Sequence, residues 1–244
     1  MEANQPAAVG GLRQWSAAAL WVTVLAGTAA AVLLESVGNA SRFISGVGGG
    51  LLVITAITGW CITRLETVSI TLPTVLTLAR GAALAVFVGL LATDIPSGVL
   101  AWLPAVLFGF AAGGDAFDGA LARATDSVSE LGARLDTETD GLTVLFGTVF
   151  VVRFELVPAV FLLVGLARYA FIAGIWHRER RGLPVYDLPP SQLRRLLGGA
   201  AMVTIWIALL PVVPISVTRP LAVVVAVPFL INFTRDWFAV SGRR

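Results

Sequence analysis

The chain has no lysine, since all 17 of its basic residues are arginine, and it has one histidine and one cysteine. A lone cysteine, Cys61, excludes an intramolecular disulfide and any cysteine-based metal cluster, and its place inside an apolar run gives it a packing role. The lone histidine, His177, stands between Trp176 and Arg178 at the end of another apolar run, a position that favours an interfacial residue over a catalytic one. Charge is scarce as well. Only 13% of the 244 residues are charged against 57% hydrophobic, and the mean hydropathy is +0.87. That excludes a soluble domain of ordinary composition and assigns the chain to a membrane. The net charge of +2 is small and is no sign of nucleic-acid binding. Neither an internal repeat nor the alternation of a β-barrel is present. An all-α architecture follows, because helices satisfy their own backbone hydrogen bonds in lipid.

What is present is a series of about eight apolar runs separated by short polar links, which predicts a polytopic membrane helical bundle. Met1–Gln14 is polar and lacks the strongly basic start of a cleaved signal, and the first run, Trp15–Leu34, is long for one. The next runs are Gly46–Ile62 and Thr74–Ala92, with a mixed segment at the membrane surface from Arg64 to Leu72 between them. Pro73 suits the first turn of the third helix. A fourth helix is expected from Ser97 through Ala112, continuing to Asp115, Asp118 and Ala122. The remaining spans are expected from about Asp136 to before Arg153, Glu155–Trp176, Leu196–Pro214 and Pro220–Phe238. A very short turn joins Arg153 to Glu155. Pro184, Pro189 and Pro190 break the polar connection from His177 to Arg195.

Eight spans place both termini on one side. Arg13, Arg64, Arg123, Arg134, Arg178, Arg180, Arg181, Arg194, Arg195, Arg235, Arg243 and Arg244 fall on that side, whereas the opposite links hold Arg42, Arg153 and Arg219. By the positive-inside rule the termini are cytoplasmic in a cell membrane.

The acidic residues are not spread evenly. Between the fourth and fifth runs lies GDAFDGALARATDSVSELGARLDTETD, in which Asp115 and Asp118 are three apart and Asp136 and Asp140 four apart. On helices, each pair presents two carboxylates on one face. Gly132 is expected in the turn that brings the pairs together. Like charges so close to a low-dielectric slab are unfavourable, so a cation must offset them. Oxygen donors without histidine or cysteine suit a hard divalent ion, Mg2+ or Mn2+ first and Ca2+ as a further option. Asp115, Asp118 and Asp136 are the main candidate ligands, and with Asp140 there are enough carboxylates for two ions. A solvated acidic loop is the bland alternative, but it would need neither the helical spacing nor the small residues Gly119, Ala122 and Gly132.

The pattern D-x2-D-G-x2-A-R-x8-G-x3-D-x3-D, filled by Asp115, Asp118, Gly119, Ala122, Arg123, Gly132, Asp136 and Asp140, resembles the signature of the CDP-alcohol phosphatidyltransferase family. The stretch LPTVLTLAR at 72–80 is similar to the opening of that family's first core helix, departing at Thr74 where many relatives carry asparagine. The resemblance implies a six-helix core at 64–244, preceded by a two-helix extension at 1–63. It also implies transfer of the phosphatidyl-type group of a CDP-activated lipid to an alcohol with release of CMP, divalent metal dependence and a homodimer. Gly119, Ala122 and Arg123 would then face the nucleotide. Asp140 would be the general base, a role that Asp115 or Asp136 could also fill.

Four arginines are candidates for the acceptor. Arg80 and Arg168 lie inside apolar runs, where a cation marks either a site or a side chain snorkelling to the interface. Arg194 and Arg195 begin the seventh span and suit either a phosphate or lipid headgroups. A phosphate there favours glycerol phosphate or inositol phosphate over serine. Two other functions fit a membrane bundle with acids. An ion carrier is disfavoured because the acids gather at one interface, and a non-catalytic scaffold because every signature position is filled.

Overall fold

The computed structural model of the chain describes residues 5–65, 71–113 and 130–242. Among them it contains eight α-helices and no strand: α1 (Gln5–Leu33), α2 (Ala40–Thr63), α3 (Leu72–Leu91), α4 (Leu103–Ala112), α5 (Glu130–Arg153), α6 (Leu162–Arg180), α7 (Gln192–Leu209) and α8 (Ile215–Ser241). Five helical stretches are long and apolar enough to cross a membrane: Arg13–Ser36, Ala40–Thr63, Thr74–Leu91, Ala159–Arg180 and Ile215–Ser241. Gly98–Ala112 is apolar but shorter. The other two helices carry charge, α5 in the acids of its first half and α7 in Arg194 and Arg195 of its first turn. This is the all-helical polytopic bundle that the composition requires. Asp115, Asp118, Gly119, Ala122 and Arg123 lie outside the described residues, as does the middle of the expected surface segment.

The chain divides into two compact units, 1–143 and 144–244, with α5 contributing residues through Thr143 to the first. In the first unit α3 is the most enclosed element: 67% of its apolar window is buried, against 22% in α1 and 28% in α2. Leu84, Val86, Phe87 and Leu90 of α3 are fully shielded, as are Phe43 of α2 and Phe108 of α4, and the rings of Phe87 and Phe108 meet at 5.9 Å. The start of α3 is well defined. The Thr74 hydroxyl accepts from the Thr71 N–H at 3.4 Å and lies 3.1 Å from the Thr71 hydroxyl, a reciprocal cap, with a proline in the first turn. Residues Gly46 and Gly50 of α2 let two backbones meet. A methyl at Gly46 would lie 2.9 Å from the Gly89 Cα, and one at Gly50 would lie 2.8 Å from the Ala85 Cα. Small residues four apart on both helices are how membrane helices pack closely, where dispersion rather than water exclusion holds them.

In the second unit the turn after α5 has an identifiable form. Glu155 sits at φ 56, the Leu156 N–H donates to the Val151 carbonyl at 2.9 Å and the Glu155 N–H to the Val152 carbonyl at 3.0 Å. These are the two bonds of a Schellman closure, with glutamate at the left-handed position usually held by glycine. It explains how the chain reverses so soon after Arg153. At the other end of the unit, Arg178 of α6 donates through Nη2 to the carbonyls of Pro184 at 2.8 Å and Ser241 at 3.0 Å. The Tyr186 N–H bonds the Val240 carbonyl, so the proline-rich connection is stapled to the end of α8.

Several boundaries differ from the expectation: α1 begins at Gln5 rather than Trp15, α2 at Ala40 rather than Gly46, and the sixth helical stretch at Ala159 rather than Glu155. The fourth span begins beside Ser97 as expected, but as a 3-10 helix over Gly98–Trp102 with Gly98 at φ 65, and α4 follows from Leu103 with Pro104 in its first turn. Helix α5 starts at Glu130, earlier than Asp136, so Gly132 is a buried residue of its first turn and not the hinge between the acid pairs. Helix α8 starts at Ile215 and runs through Pro220 and Pro228. A missing N–H is tolerated inside a membrane helix when neighbouring groups re-satisfy the backbone.

Candidate active site

The early start of α5 places Gly132, Asp136 and Asp140 at successive turns of one helix, so the two carboxylates project from the same face above a buried glycine. Two like charges one turn apart repel. Their counter-charge comes from α3. Arg80 is 1% exposed, among the largest fully enclosed side chains, and its guanidinium spans both acids. Nη1 pairs with Asp136 Oδ1, Nη2 donates to Asp140 Oδ1, and Nε donates to the Ala111 carbonyl at 2.8 Å. Ala111 is in the last turn of α4, where carbonyls have no partner within the helix. One side chain therefore joins α3, α4 and α5.

The arrangement is asymmetric in exposure. The carboxylate side chains are 25% and 29% exposed, so the acids stand at the mouth of the site and the cation behind them. Removing Arg80 would leave two neighbouring carboxylates without their counter-charge, a loss of about 3–5 kcal/mol in comparable buried groups. With two carboxylates and one guanidinium, the triad carries one net negative charge. Among the described residues no group of three histidine, cysteine or acidic side chains converges on a point. The chemistry of the donor set nevertheless fits a divalent cation, since carboxylate oxygens are the hard ligands such an ion takes.

The other three candidate arginines, Arg168, Arg194 and Arg195, lie in the second unit. Arg168 is half-buried in α6. Arg194 donates through Nε to Asp236 Oδ2 at 2.9 Å, and Asn232 Nδ2 donates to the same oxygen at 3.1 Å. Arg195, beside it in the first turn of α7, is exposed. Asp236 and Asn232 were not anticipated as partners of Arg194. Their spacing of four in an otherwise apolar helix was the available signal, since it sets two polar groups on one face. His177 is exposed in the last turn of α6, in keeping with an interfacial place.

A polytopic membrane bundle carrying an acidic face at the end of a helix is the class that fold and site define. The sequence model of the CDP-alcohol phosphatidyltransferases matches residues 70–234, and the chain belongs to that family. The match contains α3, the whole acidic segment and the four arginines, and begins after α1 and α2. A comparison with curated proteins found no match. The chain is thus an integral membrane protein of a family that makes phospholipids by transferring a phosphatidyl group from a CDP-alcohol.

Proposed function

We propose that this protein transfers the phosphatidyl-type group of a CDP-activated lipid to a phosphate-bearing alcohol, glycerol phosphate or inositol phosphate in preference to serine. The observation that carries the reading is the pair Asp136 and Asp140 on one face of α5, held at the edge of the bundle by a buried arginine. The catalytic core is assigned to 64–244 and the first 63 residues to an N-terminal extension. The arginine distribution favours a cell-membrane protein with its termini and acids on the cytoplasmic side. A homodimer is proposed on the resemblance to the family.

Asp115, Asp118, Asp136 and Asp140 would hold two divalent ions, Mg2+ or Mn2+. These ions would neutralise diphosphate oxygens and stabilise the charge left on departing CMP. Gly119 and Ala122 are small where the nucleotide must come close, and Arg123 supplies a cation to its phosphates. Asp140 takes the proton of the acceptor hydroxyl as that oxygen bonds to the lipid-linked phosphorus. The phosphorus–oxygen bond to the cytidylate breaks, and CMP leaves with the electron pair. Asp115 and Asp136 are the alternative bases. Arg168, Arg194 and Arg195 are assigned to the acceptor phosphate. The Arg194 pair with Asp236 uses Nε, one of the five N–H donors of a guanidinium.

The test is CMP release from CDP-diacylglycerol by the purified protein in detergent with Mn2+ or Mg2+. Glycerol phosphate, inositol phosphate and serine are each offered as acceptor. Turnover that needs both a metal and one of the phosphorylated acceptors is expected. No release with any of the three, under conditions where a related enzyme works, overturns the assignment.

A further inference from the structure

Arg80 invites two readings in a membrane helix, a snorkelling anchor or a ligand for an incoming phosphate, and its surroundings favour neither. A snorkelling guanidinium reaches for the interface, whereas this one is 1% exposed and turned inward. A phosphate ligand must meet its anion, yet here the carboxylates of Asp136 and Asp140 are the exposed members and stand between the guanidinium and anything that arrives. Three edges of its fork already face oxygen, at Ala111, Asp136 and Asp140.

We propose that Arg80 is a positioning residue for the transfer reaction, a three-pronged clamp that fixes Asp136 and Asp140 of α5 against the end of α4. The proposal rests on reading those two aspartates as metal ligand and general base. Each aspartate side chain has two rotatable bonds, and two neighbouring carboxylates repel, so without the guanidinium they would diverge. With it, one planar group sets both at once, and a planar fork is what bidentate and bridging recognition requires. The third prong gives the clamp its reach along the chain. Ala111 lies four residues before Asp115, while Asp136 and Asp140 belong to the second half of the acidic signature. The Arg80 Nε bond to Ala111 therefore ties the helix leading into the first pair of acids to the helix bearing the second pair. Lysine could supply the charge but not three directed donors in one plane.

The test measures CMP release and thermal unfolding in detergent for the wild type, Arg80→Lys and Arg80→Gln. The clamp predicts that both variants lose about 10²-fold or more in kcat, the scale for a reacting group displaced by an ångström, while KM for the CDP-lipid and for the acceptor stay within about threefold. Full kcat in Arg80→Lys would show that charge alone suffices and overturns the clamp. Unchanged kcat with a raised acceptor KM assigns Arg80 to the acceptor and overturns it too. A thermal cycle of wild type, Arg80→Gln, Asp136→Ala and the double variant supplies a readout independent of turnover. The double variant should lose less in Tm than the two single losses together, because both remove the same contact, and strict additivity overturns the proposal. If Arg80→Gln does not yield folded protein, Arg80→Lys, which keeps the charge balance, carries both measurements. A wild type that is inactive with every acceptor defeats the transferase reading instead, and the thermal cycle still decides whether the clamp exists.

Discussion

Two arginine clusters, one in each unit, show what an unfinished and a finished electrostatic site look like. In the first unit Arg80 is 1% exposed and faces two carboxylates that are 25% and 29% exposed, leaving a net negative charge at the surface of the site. In the second, Arg194 is 40% exposed and faces a single carboxylate, Asp236, that is 17% exposed and also held by Asn232. The second cluster is neutral and its acid is enclosed, so nothing more is needed to balance it. The first sets two carboxylates against one guanidinium, a net charge of minus one among these three side chains. Family membership adds a CDP-alcohol donor, whose diphosphate is the kind of group a divalent cation neutralises. The physical difference explains why a metal is assigned to one cluster and not the other.

Substituting the acid in each cluster is the most severe way to break this comparison. Asp136→Asn keeps shape and an acceptor oxygen for Arg80 but removes the charge, and metal-dependent CMP release should fall by about 10³-fold or more, comparable with loss of a principal electrostatic group in other active sites. Asp115→Asn should do the same. The bundle should remain folded in both, as judged by monodispersity and the unfolding midpoint. Asp236→Asn, by contrast, disrupts a half-exposed pair of the kind that contributes about 0.2–1 kcal/mol, and turnover at saturating acceptor should stay within about tenfold of wild type. Near-normal activity in Asp136→Asn would remove the distinction between the clusters.

A second contrast concerns packing. The first unit depends on the backbone approach at Gly50, where an added methyl would meet the Ala85 Cα at 2.8 Å, whereas Gly49 beside it has nothing within 4 Å. Gly50→Leu should therefore destabilise by about 1–3 kcal/mol, the usual cost of overpacking, because backbone cannot step aside. Gly49→Leu should leave the unfolding midpoint nearly unchanged. Equal midpoints for the two variants would show that the α2–α3 contact does not support the unit.

The helices and the Asp136–Asp140 pair were legible in the sequence because each depends on local pattern: apolar runs of spanning length, and carboxylates four apart. What escaped has a common cause. The start of α5 was placed at Asp136 because the two turns before it are mixed and polar, and the acidic stretch carries no clear apolar period to follow back to Glu130. Pro220 was taken as a helix start, although membrane helices accommodate proline internally. The partners of Arg80 lie 31, 56 and 60 residues away, at Ala111, Asp136 and Asp140, and no local rule links such positions. The glycines of α2 could be seen, but which helix they approach could not.

The smallest effect expected belongs to the second unit and tests its turn chemistry. Glu155 holds φ 56, and a side chain there costs about 1–2 kcal/mol relative to glycine from the clash of Cβ with the backbone. Its side chain is exposed, and the bond it receives from Arg219 Nη2 at 3.0 Å ends on the backbone carbonyl, which any substitution keeps. Glu155→Gly removes the strain while adding freedom to the unfolded chain, a partial offset of about 0.4–1 kcal/mol. The net result should be a gain of under about 1 kcal/mol, read as a rise of a degree or two in the unfolding midpoint with turnover unchanged. Gly242 supplies the opposite case at the end of α8, since it already is glycine at φ 70 and an added methyl would lie 2.7 Å from the Tyr186 ring. Gly242→Ala should lower the midpoint where Glu155→Gly raises it. A fall in both would mean that the glutamate side chain, and not the left-handed backbone, holds the turn after α5.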